Sequence, residues 1–537
     1  MIHKEGVRRF WAWRDGALPA LIFFGLLAGS IHAGARRLGF VGDSWAIFTH
    51  AAAGWWSVLS TPLGYHYIPL AAAWSRLHLL LFGGREPLYA LANIGELAVV
   101  GWLTFLLGRR LLGEALPAFL AGGLLVGGAA FPDITYWSLV GNFHCLATAL
   151  AIGAIAAAAA LAEENPPRWA SWAFAAAMTG AAFTYEGTIP LLPTAVLWWL
   201  ICAGRRTGAR SVFTLATFYR LLRAFAPSVP GVAALLAAKI HFAAATSSAF
   251  ALGLGWDRLH SLAHSLLGIF TLRSSYEVLE RLLYLGASPA SAHQSRALLL
   301  VGIALAAAVW LVRRARPGTG LLALWMTFQL GIGVIALPLA SRHRFLPSVA
   351  GLLLLSLGFC RLGQALSRRL APDVAGQPPG KVDARGLELG VPLSLGLALL
   401  LSAQGELHRA QELYRKSGDA LHFAIEQGNL LIPYRNAPTI LTLVNAPGHL
   451  VEGGITVPTF DNATTGLSLY RLGGARLELV HTWIDLPGWQ AAGMSRPIDA
   501  AELLARVGDP FRAVVSLDRA AGIVRPLSLE GFRLPEP

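Results

Sequence analysis

Residues 138–161 read SLVGNFHCLATALAIGAIAAAAAL, a run without a single Asp, Glu, Lys or Arg. A hydrocarbon core about 30 Å thick needs roughly 20 apolar residues per helix, so this run is long enough to cross a bilayer. Stretches of the same kind recur near 17–35, 88–108, 115–131, 169–185, 187–203, 228–248, 295–312, 319–340, 345–366 and 389–402. The pattern predicts a polytopic α-helical membrane protein with about eleven transmembrane helices.

Composition agrees with that reading. Hydrophobic residues make up 55% of the 537, charged residues 14%, and mean hydropathy is +0.55, far from the roughly 25% charge of soluble domains. The net charge of +13 would suggest nucleic acid in a soluble protein. Here it falls largely in short loops between apolar spans, so the expected partner is the bilayer and not nucleic acid. The three cysteines, Cys145, Cys202 and Cys360, are far apart and each lies in an apolar span, which leaves neither a disulfide framework nor a thiolate metal spacing. Lys4, Arg8, Arg9 and Arg14 precede the first span. Its length and the spans that follow make it a first transmembrane helix and not a cleaved signal.

Loop charge gives the orientation. With the N-terminus cytoplasmic, the inner segments carry Arg109–Arg110, Arg205–Arg206, Arg313–Arg314 and Arg368–Arg369, and hold about twice the Lys and Arg of the outer loops. An inner-membrane (cytoplasmic-membrane) multi-pass protein with a periplasmic or extracellular C-terminal region is therefore expected. Two outer segments, 36–87 and 249–294, are too long to be plain connectors. In the first, Trp45, Phe48, Ala52, Trp55, Trp56 and Leu59 share one helical face, as an interfacial helix would, with Asp43 or Ser44 available as N-cap. In the second, Leu259–Phe270 and Tyr276–Leu285 read as short amphipathic helices. Ala371–Gly386 is Pro- and Gly-rich and reads as a linker.

After Ser402, Pro, Asn, Asp and Thr return, and Thr439–Val444 and Arg512–Leu517 alternate like strands behind a helix near Glu406–Gln427. The expected domains are thus 1–402 in the membrane and a small extracytoplasmic α/β domain at 403–537. Tyr470, Trp483 and Trp489 read as its core aromatics, and Asn462-Ala463-Thr464 fits a glycosylation sequon.

Ionisable groups in or beside lipid are expensive, which makes them candidates for function. On the outer face these are Asp43, Asp133, Glu186, Arg342, His343 and Arg344; Glu96 and Lys239 lie within spans. Plainer roles exist for each acid: a helix cap for Asp43 and Asp133, a turn for Glu186, a partner in a neighbouring span for Glu96. Lys239 could snorkel. Arg342, His343 and Arg344 defy the charge bias of the outer side. They suit either lipid headgroups or the phosphate of a lipid-linked substrate.

Ser341-Arg342-His343-Arg344-Phe345-Leu346-Pro347-Ser348-Val349 resembles a segment of the protein-mannosyltransferase-like GT-C membrane glycosyltransferases. Gly42-Asp43-Ser44-Trp45, Tyr67-Ile68-Pro69-Leu70, Leu91-Ala92-Asn93-Ile94, Phe131-Pro132 with Trp137, and Tyr185-Glu186-Gly187-Thr188 fall in the order of that family's other motifs. The resemblance covers roughly residues 17–366. It departs where Gly42 stands for an acid, Ile68 for Arg, Phe131 for His and Tyr185 for Lys.

The resemblance implies an inverting glycosyltransferase that moves a sugar from a polyprenyl-phosphate carrier to a glycan, lipid or protein acceptor on the outer face. Asp43 would be the catalytic base. Arg342, Arg344, His343 and Lys239 would bind the donor phosphate, and Asp133, Glu186 and His66 would serve the acceptor or supply a second acid. A monophosphate leaving group can be neutralised by Arg and Lys, so no cofactor is required; a divalent metal on Asp43 with Glu186 or Asp133 is conceivable, but no ligand spacing indicates one. A lipid-linked glycan ligase, a flippase or transporter, and a non-catalytic envelope assembly protein are the alternative readings.

Overall fold

The computed structural model describes residues 2–63, 66–128, 130–207, 214–242, 256–274, 290–314, 316–336, 341–370, 383–431, 440–445, 447–452, 455–459, 476–481, 489–491, 495–507, 512–518 and 523–526. Helices dominate. The first long one, α1 (Ile2–Ile31), is followed by a cluster of short helices, α2 (Asp43–Ala52), α3 (Trp55–Ser60) and α4 (Pro69–Phe82). Next come α5 (Glu86–Leu112), α6 (Ala115–Gly127), the single turn α7 (Pro132–Tyr136), α8 (Ser138–Leu161), α9 (Trp169–Thr184) and α10 (Leu191–Thr207). Then follow α11 (Leu215–Phe225), α12 (Val229–His241), α13 (Trp256–Thr271), α14 (Ala290–Arg314), α15 (Pro317–Ala336), α16 (Ser341–Leu370) and α17 (Asp383–Leu431).

A helix lies at each position where an apolar span was expected. By length and composition, six helical stretches among the described residues can cross a membrane: Glu86–Leu112, Ser138–Leu161, Glu186–Arg206, Leu215–Ala238, Arg342–Arg369 and Gly386–Asp419. Gly16–Ile31, Ala115–Gly127 and Leu298–Arg313 are shorter apolar helices. The chain is a multi-pass membrane protein, and helices are the form in which a spanning segment satisfies its own backbone.

Helix ends follow local chemistry. α4, α5 and α7 each begin with Pro in the first turn, where its missing N–H costs nothing. α5 ends at Gly113 in the left-handed conformation (φ 72°), which an L side chain resists. Gly54, at φ 107°, breaks the aromatic stripe of the first outer segment into two helices. That corrects the single interfacial helix expected there. Trp45 and Phe48 on α2 are buried, whereas Trp56 on α3 is 82% exposed, so only α3 offers the amphipathic indole ring of a membrane interface. Arg76 of α4 caps the other end of α2, its guanidinium donating to the Ala51 and Ala52 carbonyls at 2.8 and 3.2 Å.

Position 402 lies inside α17, a 49-residue helix that continues past the apolar stretch to Leu431. The helix expected near Glu406–Gln427 is its distal part. Two sheets follow. Strands β1 (Ile440–Val444), β4 (Arg476–His481) and β7 (Arg512–Asp518) pair in parallel, with β6 (Arg496–Pro497) and β8 (Ile523–Pro526) at the edges, in the order β6-β4-β1-β7-β8. The other sheet, β3 (Ile455–Pro458), β2 (Pro447–Glu452) and β5 (Trp489–Ala491), is antiparallel. Helix α18 (Ala500–Val507) buries Leu503 with Val444, Val480, Ile498 and Val514. Tyr276–Leu285, Asn462–Thr464, Tyr470, Trp483 and residues 371–382 of the expected linker lie outside the described residues, while 383–386 begin α17.

Close helix crossings hold the bundle. At Gly122 of α6 an added Cβ would come 2.7 Å from the Gly101 carbonyl of α5 and 2.6 Å from the Phe24 ring of α1. Lipid tails are as apolar as the helices, so such close van der Waals fits drive association. Gly122→Val should lower stability by roughly 1–3 kcal/mol, read as a drop in thermal midpoint in detergent. Gly95→Ala, where a Cβ meets nothing within 4 Å, should leave the midpoint unchanged or raise it slightly.

Candidate functional site

The breakpoint between α6 and α8 organises one end of the bundle. Asn93 of α5 donates from Nδ2 to two successive carbonyls of α7, Ile134 at 2.5 Å and Thr135 at 3.0 Å. Gly141 lets this approach happen, because a Cβ there would lie 2.1 Å from the Ile134 carbonyl oxygen. The turn so fixed presents Asp133 on one side and Trp137 on the other.

Asp133 is shared between two distant helices. Its Oδ1 accepts from the Tyr414 hydroxyl of α17 at 3.0 Å, and its Oδ2 lies 3.9 Å from Nη1 of Arg342 on α16. It is therefore an ion-pair and hydrogen-bond partner and not a solvated cap. The Arg342 guanidinium lies 5.4 Å from the centre of the Trp137 ring, a cation–π arrangement, and Trp137 Nε1 donates to the Val41 carbonyl at 3.1 Å. Val41 precedes Asp43 by two residues, at most about 7 Å of chain. Gly42, at φ 46°, is the N-cap of α2, and Asp43 is its first residue. The expected capping role for Asp43 or Ser44 is thus corrected: the cap is glycine, and Asp43 stands in the first turn, where the helix dipole favours an anion.

Arg344, two residues on from Arg342 and so about half a turn round the helix, faces elsewhere. It is 7% exposed, and its Nε and Nη1 have no hydrogen-bond partner among the described residues. Its guanidinium lies against Gly268 of α13, where a Cβ would meet Nη1 at 2.8 Å. Asp133 and Glu406 are the acids within its electrostatic reach. Glu406 in turn accepts from the Ser274 backbone and hydroxyl at 2.5 and 2.7 Å.

A second cluster adjoins Arg342. His66 Nδ1 and Glu186 Oε2 are 3.0 Å apart. The Tyr185 ring stacks on His343 at 6.2 Å and 10°, and lies 4.4 Å from His144 of α8. His144 feels the charge of His343, Arg342 and His66, so the two clusters border one region. Glu96, by contrast, belongs to the bundle interior: its Oε1 accepts from Trp74 at 2.8 Å and lies 3.3 Å from His78 and 3.4 Å from Asn142. The side chain of Lys239 lies outside the described residues, its backbone being in α12. Among the described residues no three His, Cys, Asp or Glu side chains converge as a metal-binding group.

Tyr414, Trp137, His144 and Asn93 thus support the region without having been singled out as site residues. Thr459 joins them by accepting from the Gly42 N–H at 3.1 Å. Trp137 and Asn93 stand in the motifs quoted above. Tyr414 and Thr459 carry no local signal, since they reach the site from hundreds of residues away.

No protein-family model and no curated protein matches this sequence. Among solved structures, ArnT from Cupriavidus metallidurans bound to undecaprenyl phosphate matches over 93% of both chains, with 15% identity and a TM-score of 0.44. Its apo form matches over 95% of this chain and 94% of its own, with 13% identity and a TM-score of 0.46. The apo oligosaccharyltransferase of Archaeoglobus fulgidus is matched over 80% of this chain and 63% of its own length, with 12% identity and a TM-score of 0.42.

Asn93→Leu should cost roughly 1–3 kcal/mol by leaving two buried carbonyls without a donor, a loss visible in the thermal midpoint. His32 also supports the site: it is fully buried, with Nε2 donating to the Val126 carbonyl at 2.8 Å and Nδ1 accepting from the Tyr136 hydroxyl at 3.2 Å.

Proposed function

We propose that this protein is an inverting glycosyltransferase that moves a sugar from a polyprenyl-phosphate carrier to an acceptor hydroxyl at the end of the bundle bearing Asp43, Asp133 and Arg342. Loop charge argues that this end faces away from the cytoplasm. The observation that carries the reading is Arg344: a guanidinium 7% exposed, with two nitrogens lacking partners among the described residues, beside a second arginine on the same helix. Leaving buried charged donors unpaired is costly, and a phosphate monoester would satisfy them with oxygens suited to the guanidinium fork.

In this reading the acceptor oxygen attacks the anomeric carbon of the donor sugar from the face opposite the phosphate. Asp43 takes the hydroxyl proton as general base. The bond from the anomeric carbon to the phosphate oxygen breaks, its electron pair leaves with the polyprenyl phosphate, and Arg342 and Arg344 meet the developing charge. Configuration inverts. His343 and Lys239 are assigned to the donor side. His66, Glu186 and the Tyr185 ring are assigned to the acceptor, where an aromatic face and an acid suit a hydroxyl-bearing ligand. Asp133 is assigned to holding Arg342 in place. No metal enters the scheme.

Transfer is measured with membrane lipid extract carrying radiolabelled polyprenyl-phosphate sugars and purified full-length protein. Asp43→Asn should lower turnover roughly 10²- to 10⁴-fold while donor retention on the protein stays near wild type. Arg344→Gln should weaken donor retention instead. Unchanged transfer by Asp43→Asn would reject the base assignment. Tight donor binding without any transfer by the wild type would favour a carrier or assembly role.

A further inference from the structure

The end of the bundle opposite Asp133 and Arg342 holds a cavity of about 610 Å³. It is built where α5, α8 and α10 end and α15 begins, and among the described residues Arg110, Arg205, Arg206 and Arg316 line it with a single acid, Glu163. Part of this charge is already engaged. Arg110 lies 3.6 Å from Glu163, Arg316 lies 3.7 Å from Glu114, and Arg206 donates to the Ala162 carbonyl at 3.0 Å. Arg205 bonds the Val312 carbonyl and stands 5.9 Å from the Trp198 ring centre. Glu114 is itself shared with Arg361. Among the described residues the four guanidinium groups are thus answered by two acids, Glu163 and Glu114, and the cavity keeps a positive excess.

An apolar groove of about 1020 Å³ shares Arg205 with that cavity. Its walls are the last turns of α10, through Leu197, Leu200 and Ile201, and the start of α11, through Leu215, Phe218 and Leu221. α11 is strongly amphipathic, and Leu215 and Phe218 are 83% and 55% exposed. A positive cavity opening onto a lipid-facing apolar groove has the chemistry of one ligand: an anionic head carrying an acyl chain.

We propose that this end of the bundle seats an anionic phospholipid, its phosphate at Arg205, Arg206 and Arg316 and its chain in the groove between α10 and α11. On the loop-charge orientation this is the cytoplasmic leaflet, so the lipid is separate from the polyprenyl-phosphate donor and from the transfer chemistry. A soluble phosphate would use the arginines but have no need of the groove.

The test uses full-length protein in detergent, loaded with phosphatidylglycerol or phosphatidylcholine and read by native mass spectrometry. Phosphatidylglycerol should be retained and phosphatidylcholine lost. Arg205→Gln with Arg206→Gln and Arg316→Gln should lower retention at least about tenfold, at a thermal midpoint close to wild type. Should that triple variant fail to fold, Arg206→Gln alone is expected to lower retention a few-fold. Phe218→Ser should weaken phosphatidylglycerol binding, and millimolar glycerol phosphate should not displace the lipid. Equal retention of the two lipids, undiminished retention by the arginine variants, or ready displacement by glycerol phosphate would overturn the proposal. Sugar transfer is not the readout, so loss of the lipid seat and loss of the proposed activity are told apart.

Discussion

The carboxamide of Asn93 bonds two consecutive carbonyls of a one-turn helix, and the geometry around Asp133 follows from it. In a bundle surrounded by hydrocarbon, a broken helix exposes backbone groups that nothing but protein can satisfy. Asn93 satisfies two of them and so fixes the direction of α7. From that turn Asp133 reaches Tyr414 and Arg342, while Trp137 reaches Val41 and lies under the same arginine. Five segments far apart in sequence are tied together through six residues.

The polar groups of the molecule fall into distinct populations. Glu96, His78, Trp74 and Asn142 bond one another inside the bundle, with Glu96 Oε2 and Asn142 Oδ1 lacking a hydrogen-bond partner among the described residues. Arg344 stands apart from that network, a buried guanidinium whose donors are incompletely used among the described residues. Both lie in a low-dielectric setting, where charge–charge attraction is strong.

The two ends of the bundle solve different electrostatic problems. One gathers acids, histidines and arginines from α2, α7, α8, α16 and the segments just before α4 and α10. The other gathers arginines where α5, α8 and α10 finish, and cations there also face the negative ends of helix dipoles. The same residue type therefore stands beside acids and histidines at one end and beside helix C-termini at the other.

Run length and hydropathy were enough to read the helices, since an apolar run of spanning length has few alternatives in lipid, and helices lie at each expected position. The strands at Ile440–Val444 and Arg512–Asp518 were legible from their alternation, and Arg342 and Asp133 from being charges beside lipid. Less was legible where three-dimensional arrangement intervened. The aromatic stripe from Trp45 to Leu59 looked continuous, but a single glycine, Gly54, divides it into a buried and an exposed part. Periodicity reports which face a residue shares and not whether the backbone turns. Sequence alone thus determined a helical membrane chain with basic and acidic residues in and beside its apolar spans. Only the tertiary structure decided that Tyr414 meets Asp133 from 281 residues away, that Arg344 is buried with two nitrogens lacking a hydrogen-bond partner among the described residues, and that Glu96 is an internal link. Pairings of that kind depend on how helices cross, and crossing is set by close fits such as Gly101 on Gly122, which carry no mark in the local pattern.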